Sequence, residues 1–594
     1  MIRTPLRPLA RILQARARGE NPDAIERENR RLRHEAMKDR SRARSEVRLV
    51  VLAFLVALGF GAVAVRMGTL AAVKPTEPET AGGGAASIIA QRADIVDRRG
   101  RILATNLLTY ALYAQPALMV DKKRSATELA RIFPDLDPVK LEKDFSGGRK
   151  FLWIKKKISP EQLQLVHEIG DPGLLFGPRE MRLYPNGAIA AHVLGGAGFG
   201  REGVNSAEVI GTAGVEKVFD DWLRDPANGG APLELTIDLS VQSAVEEVLA
   251  GGMRLMNAKG AAAILMDVRT GEVISLASLP DFDPNTRPPS LTRGDPGDSP
   301  LFNRAVQGVY ELGSTFKIFA ISQALELGIV TPDTMIDTRE PFAFGRFRIT
   351  DFEYNGPENT VRNVIVKSSN VGTARIALMI GKERQQQFLK SLGFFEPTSI
   401  ELVEAPGAKP ILPKKWVDIS TATISYGYGL SASPLHLAAA YATIANGGRR
   451  VMPTLLKTTA PREGERVMSE EVAATARSML RGVVTEGTAS LGDVRGYEVA
   501  GKTGTANKRA PNGGYDENKV ITTFASMFPA SDPKYVLVVS LDEPVETSGA
   551  EPRRTAGWTA VPVAAEIIRR AGPLLGLRPQ VEPAPQDAVT LVAN

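Results

Sequence analysis

A chain of 594 residues, 43% apolar and 24% charged, is too long for one domain and too apolar to be mostly disordered, so roughly three to five units are expected. It has no cysteine, which excludes disulfides, thiolate metal sites and a cysteine nucleophile. The net charge of +6 is concentrated in residues 1–48, which hold 14 Lys and Arg against 7 Asp and Glu, and the remainder is close to neutral.

The basic tail, 1–48, runs into Leu49–Val65, an uncharged stretch that as a helix spans about 26 Å of a hydrocarbon core of roughly 30 Å. Arg66 can snorkel outward and Met67–Val73 adds another uncharged turn or two. A buried core helix has nothing to pack against beside so charged a tail, and a cleaved signal peptide has a shorter basic region. The pattern predicts a single transmembrane anchor over 49–70 of the inner membrane, with the N-terminus cytoplasmic and the rest periplasmic. On this reading the basic tail sets topology and does not contact nucleic acid.

Residues 71–87 include KPTEPETAGGGAAS and are expected to form a tether. A mixed unit follows over 88–236. RADIVDRRGRILA (92–104) and LELTIDLS (233–240) have the short apolar runs and charged turns of strands, while Ala126–Ile132 and Glu161–Ile169 look helical. A second unit is expected over 237–573. Ala261–Asp267 and Glu272–Ala277 flank a hairpin turn, and helices are predicted over Ser314–Leu327, Val361–Val366, Val371–Ile380 and Pro434–Asn446, three of them stopped by glycine. Lys534–Leu541 reads as a buried strand, Ala556–Ala571 as a closing helix, and the Pro-rich 574–594 as a flexible tail.

Three short motifs in this second unit carry chemistry. Ser314 and Lys317 are one helical turn apart on one face, with Gly313 marking the turn in. Burial and the helix N-terminus both disfavour an ammonium there, so Lys317 can take the Ser314 hydroxyl proton, and the Ser314 amide can form half of an oxyanion hole. Ser368-Ser369-Asn370 lies between two helices. Ser368 can relay a proton and Asn370 can hold Lys317 and a substrate backbone, although a plain helix cap explains the same residue types. GYEVAGKTGTA (496–506) reads as a strand edge, where Lys502, Thr503 and Thr505 suit a terminal carboxylate. Gly504 leaves room for a ligand backbone and the Thr505 amide is a second oxyanion donor. A Ser-x-x-Lys match alone is expected about once or twice in a chain this long. The ordered triple is far more specific. The four histidines (His34, His167, His192, His436) lack ligand spacing, so neither a histidine metal site nor a Ser-His-Asp triad is expected.

With these motifs the chain resembles the penicillin-recognising serine transferases and hydrolases. Further boxes narrow the resemblance to class B penicillin-binding proteins: Arg92–Gly100, Arg182–Gly187 with His192 and Gly195, Gly211–Glu216, Thr236–Asp238 with Gln242, Asp283–Asn285, Asn303-Arg304 and Ser425–Gly429. Ala93 stands where glycine is common, and Leu312 where proline is common before the nucleophile. The resemblance implies a multidomain α+β protein with an N-terminal transmembrane helix, an elongated non-catalytic pedestal and a transpeptidase domain of antiparallel sheet flanked by helices. Within class B, the Ser-x-Asn form and short pedestal resemble the division-specific enzyme, a septal D,D-transpeptidase.

That likeness implies Ser314 as nucleophile, Lys317, Ser368, Asn370 and Lys502 as its catalytic company, and Thr503, Gly504 and Thr505 at the substrate. Implied partners are peptidoglycan stem peptides, β-lactams, a SEDS-type glycosyltransferase and other division proteins, with no cofactor. Arg92, Arg182 and Glu216 are expected to be ion-paired joints. The alternatives are the elongation-specific paralogue and a β-lactam sensor or hydrolase of the same superfamily.

Overall fold

The computed structural model describes residues 13–72, 92–202, 207–345, 347–458, 464–510 and 513–580. The expected tether lies outside these residues from 73 onward, as does the tail from 581. The chain divides into two compact units. The smaller takes the N-terminal part with residues 113–154 and 165–175, and the larger takes the described residues of 80–112, 155–164 and 176 onward.

In the smaller unit, helix α1 (Pro22–Ala72) contains the apolar run, and residues 51–65 of it are all exposed. Among the described residues no helix is long and apolar enough to cross a membrane. Helices α2 (Lys122–Ile132) and α3 (Pro138–Ser146) start on aspartate caps: Asp121 accepts from Arg124 N, and Asp137 from Val139 N. Tyr113, Phe151 and Trp153 pack with ring centroids 4.9 to 5.8 Å apart.

In the larger unit, β1 (Ile95–Val96) pairs antiparallel with β2 (Ile102–Ala114) and parallel with β3 (Leu233–Glu234). Beside them sits a buried ion cluster. Arg92 Nε donates to Glu216 Oε2 at 2.8 Å, Arg182 Nε to Glu216 Oε1 at 2.7 Å, and Arg92 Nη1 to Asp220 at 2.7 Å. The three charged residues singled out from the sequence are thus joints, each charge neutralised where water is excluded. The run 233–240 is not one strand. It stops at Glu234, because Asp238 accepts from Ser240 N and Val241 N and so caps helix α4 (Leu239–Leu255). Arg101 binds both Asp97 and Asp238, and Asp97 accepts from Leu239 N, which ties the first charged turn to the start of α4.

The centre of this unit is a five-stranded antiparallel sheet. It is built from β4 (Gly260–Asp267), β5 (Val273–Leu279), β6 (Ala500–Arg509), β7 (Tyr515–Phe528) and β8 (Tyr535–Asp542), in the order β6-β7-β8-β4-β5. Apart from one terminal residue each, β4 and β8 are buried throughout, so helices cover both faces and the strands read as continuous apolar runs. Helices α5 (Lys317–Glu326), α6 (Val361–Val366), α7 (Asn370–Ile380), α8 (Pro434–Ala445), α9 (Glu470–Thr485) and α10 (Ala560–Leu574) are among those around it, and the architecture is α+β as expected. Every residue of α8 is buried against the sheet and α9. Past α10, Leu577 packs on the core and Gln580 N donates to Gly496 O at 2.9 Å, so the chain is held to at least 580, beyond the boundary at 574. Strand β6 is at the edge of the sheet.

Candidate active site

Gly313–Phe316 forms a 3-10 turn that runs into α5, rather than the first turn of one α-helix from Ser314. The Lys317 amide closes the turn by donating to Ser314 O. At three residues per turn, positions i and i+3 eclipse, so Ser314 and Lys317 stack more directly than an α-helix would place them. Ser314 is half-buried and Lys317 fully buried.

Three backbones interlock beneath Ser314. Gly313 has φ +57°, and a Cβ there would meet Thr505 O at 2.7 Å. Gly427 has φ +90°, and its Cβ would lie 1.9 Å from Gly313 O. Gly504 packs under the same turn, where a Cβ would meet Leu312 O at 2.3 Å and Thr315 Cγ2 at 2.8 Å. The space on the Cβ side of Gly504 is therefore filled by the nucleophile turn, a packing reason for glycine that the sequence did not show. Leu312 is buried, with its carbonyl also accepting from Thr315 Oγ1 at 2.9 Å, so the residue that replaces proline is fixed by its carbonyl.

The second motif divides its labour. Ser369 is the cap of α7, accepting from Gly372 N at 2.9 Å. Ser368 ends α6 in the left-handed region, φ +63°, with its amide donating to Ile365 O and the Ser369 amide to Val364 O. This is the hydrogen-bond pattern of a Schellman ending, where glycine is usual. A serine held there marks a strained, functional position. Lys317 Nζ donates to Ser368 Oγ at 3.0 Å and to Ser368 O, and Lys502 Nζ donates to the same Oγ at 2.9 Å. Two lysines far apart in sequence thus meet on one hydroxyl.

Burial, then the charge of Lys502, holds Lys317 well below the usual lysine range, with Asp351 acting in the opposite sense. Burial alone brings Lys502 down to about 7. Lys317, biased toward its neutral form, and Lys502 both bond one hydroxyl that can accept and donate, an arrangement suited to passing a proton. Among the described residues no hydrogen bond joins Ser314 Oγ to Lys317. Such bonds often tighten only with substrate bound.

Asn370 differs from expectation. Its side-chain amide donates to Thr350 O at 2.8 Å and its backbone N to Asp351 Oδ1 at 2.6 Å. No hydrogen bond links it to Lys317 among the described residues. One amide hydrogen and the amide oxygen remain for other partners.

On β6, Lys502 Nζ also donates to Thr503 O at 3.3 Å. Thr503 Oγ1 lies 2.6 Å from Thr488 Oγ1, and Thr505 Oγ1 accepts from Ala556 N at 3.0 Å, which leaves the Thr505 hydroxyl hydrogen to donate. Asp351 and Thr488 lie outside every motif read from the sequence, and the packing role of Gly427 is not legible in the Ser425–Gly429 box. The Ser433–His436 pair is a buried helix cap, with His436 Nε2 at Glu396 O, and takes no part in the site.

The chain is similar to known proteins along most of its length. Residues 261–569 match the penicillin binding protein transpeptidase domain, and residues 87–231 the penicillin-binding protein dimerisation domain. A probable peptidoglycan D,D-transpeptidase FtsI of Caulobacter vibrioides is 34% identical over 93% of both chains. The peptidoglycan D,D-transpeptidase FtsI of Escherichia coli K12 is 30% identical over 76% of this chain and 79% of its own. The crystal structure of penicillin binding protein 3 from Mycobacterium tuberculosis with aztreonam superposes with a TM-score of 0.61 at 26% identity, covering 84% of this chain and 99% of that one.

Proposed function

The chain belongs to the class B penicillin-binding proteins, and from that membership we propose that it is the septal peptidoglycan D,D-transpeptidase of its cell. The convergence of Lys317 and Lys502 on Ser368 Oγ beside the Ser314 turn carries the reading. Ser314 Oγ attacks the penultimate carbonyl of a D-Ala-D-Ala stem and its proton passes to neutral Lys317. The amides of Ser314 and Thr505 hold the developing oxyanion. The peptide C–N bond then breaks. The departing D-Ala nitrogen takes a proton from Ser368, which is reprotonated from the lysines.

An amine of a second stem attacks the ester next. It returns its proton along the same path and restores the Ser314 hydroxyl. Lys502 and the Thr505 hydroxyl receive the substrate carboxylate, and Asn370 the substrate backbone. β-Lactams acylate Ser314 in the same way, but their leaving nitrogen stays tethered.

The test is covalent labelling of the purified chain with fluorescent penicillin. A stable label on the peptide containing Ser314, absent in Ser314→Ala, and crosslinking of lipid-linked peptidoglycan are expected. No label sinks the acyl-transfer reading, label lost within minutes favours a hydrolase, and stable label without crosslinking favours a sensor.

The membrane reading belongs to the same proposal. The exposed apolar surface of 51–65, which includes Phe54, Leu55, Leu58 and Phe60, supports an anchor over 49–70, with 1–48 in the cytoplasm and the site in the periplasm. The pedestal over 88–236 and the anchor would then meet a SEDS-type glycosyltransferase and other division proteins. Depletion is expected to give filaments that the full chain rescues and a variant lacking 1–72 does not, with only the full chain sedimenting with membranes. Rounded cells would point to elongation instead.

A further inference from the structure

Asp351 lies in the segment between the hairpin formed by Phe342–Phe344 and Phe347–Ile349 and the strand Glu358–Thr360, outside every motif of the site. Ile349 anchors that segment by packing with Val371, Ala374 and Ala422. Glu340 holds it from the other side, accepting from Asp351 N at 2.9 Å.

From this fixed base the segment makes three bonds to the start of α7. Asp351 Oδ1 accepts from Asn370 N at 2.6 Å and from Val371 N at 3.0 Å, and Thr350 O accepts from the Asn370 side chain at 2.8 Å. Ser369 already caps α7 through Gly372 N, so Asp351 satisfies the two donors that the cap leaves over. Among the described residues its second oxygen, Oδ2, is buried with no hydrogen-bond partner.

We propose that Asp351 is a positioning residue for acyl transfer, holding the Ser368–Asn370 turn in register with Lys317 and adding a negative charge to that pocket. The assignment rests on the transpeptidase reading above. Ser368 is strained and Asn370 opens α7, so both depend on the turn between the helices being pinned from outside. Asp351 supplies the pin. Among the described residues, Ser368 meets Lys317 by direct bonds, and the charges of Lys502 on β6 and Asp351 in this segment act on it. Lys502 favours the neutral amine and Asp351 opposes it, so the carboxylate sets where along the pH axis Lys317 becomes a base.

The experiment compares penicillin acylation rates of the full chain with those of Asp351→Asn and Asp351→Ala across pH. Asparagine keeps the acceptor and loses the charge. Its plateau rate is expected to stay within about twofold of the parent, while its acid limb moves to lower pH, because Lys317 stays neutral further down. Alanine loses both bonds, and its plateau is expected to fall about tenfold as the turn loosens. An alanine plateau equal to the parent's, or an asparagine plateau as low as alanine's, overturns the proposal. Where the alanine variant does not fold, the asparagine limb decides: a shift supports the assignment and superposition overturns it. Parental label with superposed profiles sinks Asp351 alone, and absence of label in the parent sinks the transpeptidase reading and this assignment with it.

Discussion

Ser368→Gly is expected to lower acylation and crosslinking by about 10²- to 10⁴-fold, the usual worth of a positioned proton-transfer group, while leaving the protein at least as stable as Ser368→Ala. The two effects separate because this position does two incompatible things. Its backbone, φ +63°, is the left-handed ending of α6, where any residue with a Cβ is strained by roughly 1–2 kcal/mol. Its side chain is the one hydroxyl shared by Lys317 and Lys502.

Glycine relieves the backbone and deletes the hydroxyl, whereas alanine deletes the hydroxyl and keeps the strain. Both variants leave Lys317 its bond to Ser368 O, so neither strips the buried lysine of every partner. Rates fall equally in the two variants, and glycine unfolds later in urea, by about 1 kcal/mol after its extra freedom in the unfolded chain is allowed for. A glycine variant that keeps more than about a tenth of the parental rate would remove Ser368 from the proton path. One less stable than alanine would show that the serine is not strained there.

The reacting groups are legible in the sequence because chemistry restricts them to few residue types at short spacings. Ser314 and Lys317 share a face through three-residue spacing, and glycine stops locate the ends of α5, α7 and α8 to within a few residues. What is not legible there is of another kind. Whether 233–240 is strand or helix start turns on Asp238, which reads equally as a turn residue or a cap until the helix behind it is seen. From the sequence, Ser368-Ser369-Asn370 reads both as a relay with Ser368 as its hydroxyl and as a plain helix cap. The structure gives one serine to each role.

Asp351 is nineteen residues from Asn370 and carries no periodic signal. The β7 strand and α9 escape for a related reason: β7 opens on charged residues, and α9 follows a segment without a clear stop. Long-range backbone contact is the least legible of all. The interlock of Gly313, Gly427 and Gly504 joins three separate stretches of sequence, and each glycine taken alone reads as a local turn or as space for a ligand.

Gly504→Ala tests that interlock, and its expected result is a double loss. A methyl group at 504 would lie 2.3 Å from Leu312 O and 2.8 Å from Thr315 Cγ2. The first neighbour is backbone. It is braced by the Thr315 hydroxyl, and Thr315 O is in turn fixed by the buried Tyr441 hydroxyl at 2.9 Å, so no flexible side-chain end is available to move aside. Either β6 bows outward at its edge or the Ser314 turn lifts away from it.

In both cases the distance between Ser314 and the Thr505 amide changes by about 1 Å, enough to cost roughly 10²-fold in acylation. The overpacked core loses about 1–3 kcal/mol of stability as well. If glycine were there only to admit a substrate backbone, the variant would bind and acylate poorly while unfolding at the parental urea concentration. Urea unfolding and penicillin labelling on one preparation therefore separate the two roles. Parental stability with slow labelling returns Gly504 to the substrate, and loss of both assigns it to the joint that seats the nucleophile on the strand.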